Sequence, residues 1–378
     1  MTLSREELIR YNRQIILPDF GVEGQEKLKA ASVLIIGAGG LGAPNLQYLT
    51  AAGVGRIGVV DFDQISLTNL QRQVLFNTDE VGANKATTAA DKLKALNPET
   101  VFEVYETQLS AANAMEIITK YDLVVDGSDN LPTRYLVNDA CLLLEKPLIY
   151  GAIFRFEGQV SVFNQLLPDG SRGPNYRDIF PTPPPPAMVP SCSEGGVFGV
   201  LPGIVGSMQA NEAIKVITGM GTTLSGRLLL FDSLDFSSRY LNIQSNPDNP
   251  VSGTNPTIKE LIDYEAFCAG PVSDEKALAS VTVHELKADQ TAFFVLDVRE
   301  PYEYDISNLN GVNIPLAELS TELDKIPRDR AVVVHCKSGV RSMQAIRLLE
   351  KEGYTNLSNL EGGILAWQKE IDSDMAVY

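Results

Sequence analysis

One cysteine stands on a short loop between a buried strand and a helix, in the stretch VHCKSGVRS at residues 334–342. The apolar strand AVVVH leads into Cys336, and Arg341 follows after four intervening residues. The backbone amides of such a loop point inward, and together with a helix N-terminus they stabilise a thiolate. The pattern indicates a reactive cysteine, either of a phosphatase or of a sulfur-transfer site.

The length of the loop separates these two chemistries. A cysteine phosphatase needs a wider loop to surround a phosphate group, whereas only four residues separate Cys336 from Arg341. We therefore expect a cradle sized for one sulfur atom carried on the cysteine. The alternative is a buried structural thiol, which has no need of a glycine-containing cradle.

A glycine-rich turn, GAGGLG at residues 37–42, lies near the other end of the chain, between the strand ASVLII and a helix. Its G-x-G-x-x-G spacing lets the backbone approach a phosphate at the helix N-terminus. Asp61 follows at the end of the next strand, the position of a ribose-binding carboxylate. These features alone fit a dinucleotide dehydrogenase equally well.

Charged residues further along favour a triphosphate over a nicotinamide cofactor. Arg72 lies in TNLQRQ, Lys85 in VGANKA, and Asp129 with Asn130 in DGSDN. A triphosphate needs cations along its length, and adenylyl transfer needs a carboxylate for magnesium. The sequence therefore predicts an ATP site with bound Mg²⁺.

Alternating strands and helices predict an α/β fold with two domains. The first, residues 1–245, is expected to be a Rossmann-like, doubly wound adenylating domain. The last, residues 280–378, is a smaller α/β domain with different motifs. Between them, residues 246–279 are predicted to be a linker, because they begin with the Pro/Asn-rich NPDNPVSGTNP.

Composition excludes several classes of protein. The chain has 378 residues, enough for two cores, and its 48 acidic and 31 basic residues give a net charge of -17. That charge argues against a nucleic-acid partner. The N-terminus lacks the apolar core of a signal peptide, and the apolar stretches are too short for a membrane span. We therefore expect no membrane association and a cytoplasmic location.

Residues 4–245 closely resemble the ubiquitin-activating-like adenylyltransferases of the molybdopterin-synthase-activating type. The motifs stand in that family's order: YNRQI, GAGGLG, DFDQISLTNLQRQ, GANKA, DGSDN and EGGVFGVLPGIVGSMQANEAIK. The resemblance implies an enzyme that uses ATP to adenylate the C-terminal glycine of a small ubiquitin-like sulfur carrier protein.

The resemblance also implies roles for single residues. Asp129 would hold magnesium, and Arg13 would reach the triphosphate of a neighbouring subunit, so a homodimer is expected. Cys192, in VPSCSEGG, aligns with the cysteine of the family's crossover loop and is either a covalent acceptor or a spare thiol. ATP would be bound by a set of residues around the glycine turn: Gly40, Asp61, Asp63, Asn69, Arg72, Lys85, Asp129 and Asn130.

Relatives of this type usually hold a structural zinc ion with two Cys-x-x-Cys pairs, and this chain keeps the spacing without the cysteines. Asn175 and Asp178 stand at one pair of positions, and Asn249 and Ser252 at the other. Amide and hydroxyl oxygens are poor zinc ligands. We therefore predict that zinc is absent and that proline-rich turns and polar hydrogen bonds replace it.

Residues 280–374 closely resemble a rhodanese-like sulfurtransferase domain, through LDVRE, GVNIP, the Cys336 loop and EGGILAW. The resemblance implies that Cys336 carries a persulfide and that Arg341 completes the loop, with Asp297 as its expected acidic partner. A cysteine desulfurase or thiosulfate would supply the sulfur.

Together these features predict one reaction sequence. The persulfide of Cys336 would attack an acyl adenylate made by the first domain, directly or through an acyl group on Cys192, and a reductive step would release a thiocarboxylate. The product would serve molybdenum cofactor biosynthesis, or else cysteine, thiamin or tRNA thiolation. An NAD-dependent oxidoreductase and an inactive binding scaffold are the alternatives from other classes.

Overall fold

The computed structural model describes residues 2–184, 196–269 and 278–376, so Cys192 lies outside the described residues. The chain divides into two compact units, Met1–Val272 and Ser273–Tyr378. Among the helices of the described ranges, none is both long and apolar enough to cross a membrane.

The first unit is built on an eight-stranded sheet in the described part of the chain, with strand order β3-β2-β1-β4-β5-β6-β7-β8. The strands from β3 to β5 pair in parallel, and those from β5 to β8 pair antiparallel. The strands are β1 Ser32–Ile36, β2 Arg56–Val60, β3 Val101–Tyr105, β4 Leu123–Asp126, β5 Leu148–Phe154, β6 Glu157–Phe163, β7 Arg227–Asp232 and β8 Ser237–Asn242. This is the doubly wound, Rossmann-like sheet that the sequence predicted.

Helices cover both faces of this sheet and give it two apolar clusters, one on each side. The helices are α1 Arg5–Arg10, α2 Asn12–Ile15, α3 Gly21–Ala30, α4 Gly42–Ala52, α5 Lys85–Leu96, α6 Ala114–Ile118, α7 Leu131–Leu143, α8 Tyr176–Ile179, α9 Leu201–Thr218 and α10 Tyr264–Ala269. Strand β1 is buried along its whole length, because a central parallel strand is covered on both faces and therefore reads as a continuous apolar run.

The turn between β1 and α4 requires glycine at two positions. Gly37 has a φ of +85°, which other L-residues rarely adopt. A Cβ on Gly42 would lie 1.8 Å from the carbonyl oxygen of Gly37. The chain therefore turns tightly at the carboxyl end of β1, which places the start of α4 at the edge of the sheet where parallel strands end.

The second unit has a five-stranded parallel sheet in the described residues, in the order β11-β10-β12-β13-β9. Its strands are β9 Ser280–Val281, β10 Phe294–Asp297, β11 Val312–Asn313, β12 Val332–His335 and β13 Leu357–Leu360. Its helices are α11 Val283–Ala288, α12 Pro301–Ile306, α13 Val340–Lys351 and α14 Gly363–Glu370. The smaller α/β domain expected from the sequence is confirmed.

The described part of the expected linker packs on the first unit as far as residue 269. The Tyr264 hydroxyl donates a hydrogen bond of 2.8 Å to Oδ2 of Asp139, and Tyr264 and Cys268 are both buried. The aromatic side chains that the sequence places in this segment are therefore core residues of the first unit.

Candidate functional site

A cavity of about 460 Å³ opens at the carboxyl ends of β1, β2 and β4. Its lining includes most of the residues that the sequence assigned to nucleotide binding: Gly40, Asp61, Asp63, Arg72, Lys85, Asp129 and Asn130. Asn69 does not line it; its carbonyl accepts the N–H groups of Arg72 and Gln73 at 3.0 and 2.9 Å. That residue therefore shapes the turn that presents Arg72.

Asp61, at the end of β2, is held by the glycine turn. Its Oδ2 accepts the N–H of Ala38 at 2.8 Å, and its Oδ1 accepts the N–H of Asp63 at 2.9 Å. Burial raises the pKa of Asp61 above its ordinary value, and these amide hydrogen bonds and nearby Lys85 oppose the rise. A carboxylate fixed in this way can accept hydrogen bonds from a ribose.

The cationic part of the cavity comes from two segments that follow β2. Lys85, at the start of α5, is only 5% exposed, and its Nζ lies 2.8 Å from Oδ2 of Asp63. Arg72 donates to the carbonyl of Thr68 at 3.1 Å. Both side chains line the cavity, so they can offset the charge of a polyphosphate.

Buried polar atoms at the cavity fit a polar ligand. Within the described residues, Oε1 of Gln73 and Nε of Arg134 have no hydrogen-bond partner, although both side chains line the cavity. A Cβ on Gly39 would lie 3.3 Å from the Gln73 amide, and one on Gly40 would lie 3.0 Å from Pro202. Unpaired buried atoms are costly, so a backbone-lined space with free polar groups suits a nucleotide.

Two of these residues were missed in the sequence. Arg134 lies one helical turn beyond Asn130 in α7, a spacing that could have indicated it. Gln73 directly follows Arg72, and nothing in its type distinguishes it from a surface glutamine.

Asp129 and Asn130 lie where β4 leads into α7. The Asn130 side chain accepts the N–H of Thr133 at 2.9 Å and so caps the helix. Asp129 is exposed and lines the cavity. A free carboxylate beside a phosphate-binding turn fits a magnesium ligand, although in the described ranges no three His, Cys, Asp or Glu side chains are grouped as a metal site.

Arg13 does not line this cavity. It is an exposed residue of α2 and borders a separate depression together with Tyr48 and Ile214. The geometry therefore gives no support for contact between Arg13 and a nucleotide bound to the same chain. Its expected contact with the triphosphate of a neighbouring subunit stays a prediction.

In the second unit, Cys336 directly follows β12 and is 1% exposed. Its Sγ accepts the N–H of Gly339 at 3.1 Å, and the Ser342 hydroxyl lies 3.6 Å away. Gly339 has a φ of +108° and caps α13, so the loop closes over the sulfur. The sequence predicted this loop, but not the positions of Ser342 and its hydrogen-bond partner Asn359.

Arg341 forms its ion pair with Glu303, and the expected pairing with Asp297 is wrong. Nη1 and Nη2 of Arg341 donate to the Glu303 carboxylate at 2.6 and 2.8 Å. Asp297 is instead bound by Arg299, two residues along the chain, at 2.5 Å in a fully buried pair. Glu303 is 38 residues from Arg341, so its role had no signal in the local sequence.

The four residues at the positions of the relatives' zinc ligands come together as a polar cluster. Asn249 donates to Asp178 and Asn175 at 2.7 and 3.2 Å. Asn175 donates to Ser252 at 2.9 Å and to Asp178 at 2.8 Å. These hydrogen bonds join α8 and the residue before it to the segment near residue 250. They are the polar hydrogen bonds that the sequence predicted in place of zinc, whereas the prediction on zinc itself remains untested.

Two family descriptions match the chain. The ThiF family matches residues 11–251, and the rhodanese-like domain matches residues 281–370. The first range contains every residue that lines the cavity except Glu265, and the second contains the Cys336 loop.

Related proteins match over either the whole chain or a large part of it. A probable adenylyltransferase/sulfurtransferase MoeZ of Mycobacterium tuberculosis is 48% identical over 100% of this chain and 96% of its own length. The adenylyltransferase and sulfurtransferase MOCS3-1 of Zea mays is 42% identical over 100% of this chain and 85% of its own length. A sulfur carrier protein adenylyltransferase of Thermus thermophilus is 58% identical over 71% of this chain and 99% of its own.

Solved structures are similar in fold to about two thirds of the chain. MccB of E. coli has a TM-score of 0.58 and 25% identity, covering 67% of this chain and 74% of its own. PaaA has a TM-score of 0.55 and 26% identity, covering 64% of this chain and 75% of its own.

Proposed function

The chain belongs to the ThiF family and ends in a rhodanese-like domain, and from this premise we propose how its two sites act in sequence. The protein is an adenylyltransferase and a sulfurtransferase that uses ATP. Its substrate is a ubiquitin-like sulfur carrier protein.

The first step activates the carrier's C-terminal carboxylate in the cavity. An oxygen of that carboxylate attacks the α-phosphorus of ATP, and pyrophosphate leaves, which gives an acyl adenylate. Asp61 holds the ribose, while Arg72 and Lys85 offset the charge on the departing pyrophosphate. Asp129 would hold Mg²⁺, which would supply further charge neutralisation.

The second step takes place at Cys336. The terminal sulfur of its persulfide attacks the acyl carbon, and AMP leaves, so that the carrier is joined to Cys336 through an acyl disulfide. A thiol then attacks Sγ of Cys336, which breaks the S–S bond, releases the thiocarboxylate and leaves a mixed disulfide on Cys336; a second thiol reduces that disulfide and restores the cysteine. An acyl group on Cys192 is the alternative route between the two steps.

Three further elements belong to the proposal. The sulfur donor is a cysteine desulfurase or thiosulfate. Arg13 contributes to the site of a second subunit in a homodimer. The thiocarboxylate serves molybdenum cofactor biosynthesis, with cysteine, thiamin or tRNA-thiolation carriers as the alternative destinations.

The hydrogen bond from Gly339 to Sγ of Cys336 supports the proposal most directly, because a loop amide that donates to the sulfur holds it in place for transfer, in a chain that also holds a nucleotide-type cavity. The test is carrier-dependent exchange of labelled pyrophosphate into ATP, followed by mass spectrometry of the carrier. We expect exchange, and then the replacement of one carboxylate oxygen by sulfur. Retention of NAD without exchange would instead support the oxidoreductase.

A further inference from the structure

The nucleotide cavity has two chemically different ends. Three cations, Arg72, Lys85 and Arg134, line this cavity but are absent from the lining that it shares with the cavity beside it. At the other end, five residues line both this cavity and a second cavity beside it: Gln108, Leu109, Pro132, Thr133 and Glu265. We call these five residues the base end of the nucleotide cavity. They include apolar side chains and no cation, so the base end suits a nucleobase rather than a phosphate.

Glu265 is the one acidic residue in that set. It lies in α10, within the segment that the sequence assigned to a linker, and its side chain is exposed. A carboxylate at an otherwise neutral base end can accept hydrogen bonds and can donate none when ionised.

The neighbours of Glu265 fix its position. Tyr264 donates to Asp139 at 2.8 Å, and Asp139 forms a fully buried ion pair with Arg177 at 2.7 Å. The Phe267 ring lies 4.8 Å from the same guanidinium. Because residues on both sides of it are anchored in the core, Glu265 is held at the cavity wall rather than carried on a free linker.

We propose that Glu265 is a specificity-determining residue that accepts a hydrogen bond from the 6-amino group of adenine and thereby selects ATP over GTP. Guanine carries an oxo group at this position. The oxo group and the Glu265 carboxylate are both hydrogen-bond acceptors, so neither would find a donor in the other. This inference rests on the proposed function, because it takes ATP as the ligand of the cavity.

The test is calorimetric binding of the β,γ-methylene analogues of ATP and GTP, each with Mg²⁺, to the full chain. The wild-type protein should prefer the adenine analogue. Glu265→Gln should lower that preference about tenfold, the order expected for a hydrogen bond to a charged group. The Gln amide can donate to the guanine oxo group, so affinity for the GTP analogue should rise.

Glu260→Gln is the matched control. Glu260 is an exposed residue of the same segment that does not line the cavity, so this variant should keep the wild-type preference. Glu265→Ala should also lose preference for the adenine analogue, without the gain in affinity for the guanine analogue.

Other outcomes overturn the inference in distinguishable ways. An unchanged preference in both Glu265 variants, or equal weakening of both analogues, removes Glu265 from base recognition and leaves the proposed function intact. A wild-type protein that binds neither analogue contradicts the proposed function, and the inference fails with it.

Discussion

At the nucleotide cavity, buried atoms of Gln73 and Arg134 have no hydrogen-bond partner among the described residues, whereas Sγ of Cys336 already accepts the N–H of Gly339 and Arg341 already binds Glu303. The first site suits a ligand that binds and dissociates, so some of its polar groups have no hydrogen-bond partner until the ligand binds. The second holds a reactive atom of the chain itself, so the Cys336 sulfur and the Arg341 guanidinium are bound by other groups of the chain, although Nε2 of the neighbouring His335 has no hydrogen-bond partner in the described residues. The difference predicts that substitutions act on ligand binding in the first unit and on the geometry of one sulfur in the second.

Cys336→Ala is expected to have the largest effect, because it removes the atom that the second site is built to hold. Transfer of sulfur from thiosulfate to cyanide, and to the carrier, should be abolished, while pyrophosphate exchange remains. The one tryptophan of the chain, Trp367, is buried in the second unit, and its unchanged fluorescence would show that this unit still folds. If sulfur transfer persisted, the persulfide would have to be carried by another residue, and Cys192 would be the first one to test.

Asp129→Asn should break the first site alone. We expect carrier-dependent pyrophosphate exchange to fall by about 10²–10³, the order seen when a preorganised charged or polar group is removed from a reaction centre. Thiosulfate-to-cyanide transfer should be unchanged. Asp79→Asn, at an exposed position that does not line the cavity, is the control, and equal exchange in both variants would contradict the role of Asp129.

Asn249→Ala tests whether the polar cluster holds the first unit together. Asn249 is 1% exposed, and its loss leaves Asp178 and the N–H groups of Val251 and Ser252 short of partners. We expect the free energy of unfolding of the first unit to fall by about 3 kcal/mol.

Urea unfolding followed by circular dichroism should show that loss, while the Trp367 transition of the second unit should not move. Asn255→Ala removes the same side chain at an exposed position and should leave both transitions in place. If both variants lost a similar free energy of unfolding, the hydrogen bonds of the buried cluster would add no stability beyond that of any asparagine side chain.

Glu303→Gln should sharpen the description of the second site. The amide cannot form the two charge-assisted hydrogen bonds to Arg341, so the start of α13 should loosen around Cys336. We expect thiosulfate-to-cyanide transfer to fall about tenfold, equivalent to about 1.4 kcal/mol, with exchange unaffected. Asp305→Asn is the control, because Asp305 is an exposed residue of α12, the helix that carries Glu303. It should have no effect, and equal rates in both variants would show that Arg341 acts without Glu303.

His335 gives the smallest expected effect, a pH dependence confined to the second unit. Burial lowers its pKa below the ordinary value, so protonation favours the unfolded chain. Stability is therefore fully present above about pH 6.5 and falls by up to about 1.4 kcal/mol per pH unit below it. His335→Asn should remove this slope in the Trp367 transition, whereas His284→Asn, at a side chain that is 67% exposed, should retain it.

The sequence predicted the parts of both sites that depend on local pattern. The glycine turn, Asp61 and the Cys336 loop each follow a strand, and parallel strands bring their carboxyl ends to one edge. Glu303 and Glu265 could not be found in this way, because each reaches its site from a helix distant in the chain. Their type and spacing match any surface glutamate, and only the tertiary packing distinguishes them.

The same limit explains the segment before Ala269. Its Pro/Asn-rich beginning indicates a flexible connection, yet Tyr264, Phe267 and Cys268 pack into the core of the first unit. The composition of its first residues predicted a linker, whereas the burial of a few aromatic side chains further along determines where the segment packs.

The cluster of Asn175, Asp178, Asn249 and Ser252 also bears on the chemical environment in which this enzyme works. An enzyme that handles persulfides exposes its own thiols to oxidation and to unwanted sulfur transfer. Amide, carboxylate and hydroxyl groups take part in neither reaction. The tie formed by these side chains is therefore resistant to the reactive sulfur that a sulfurtransferase handles.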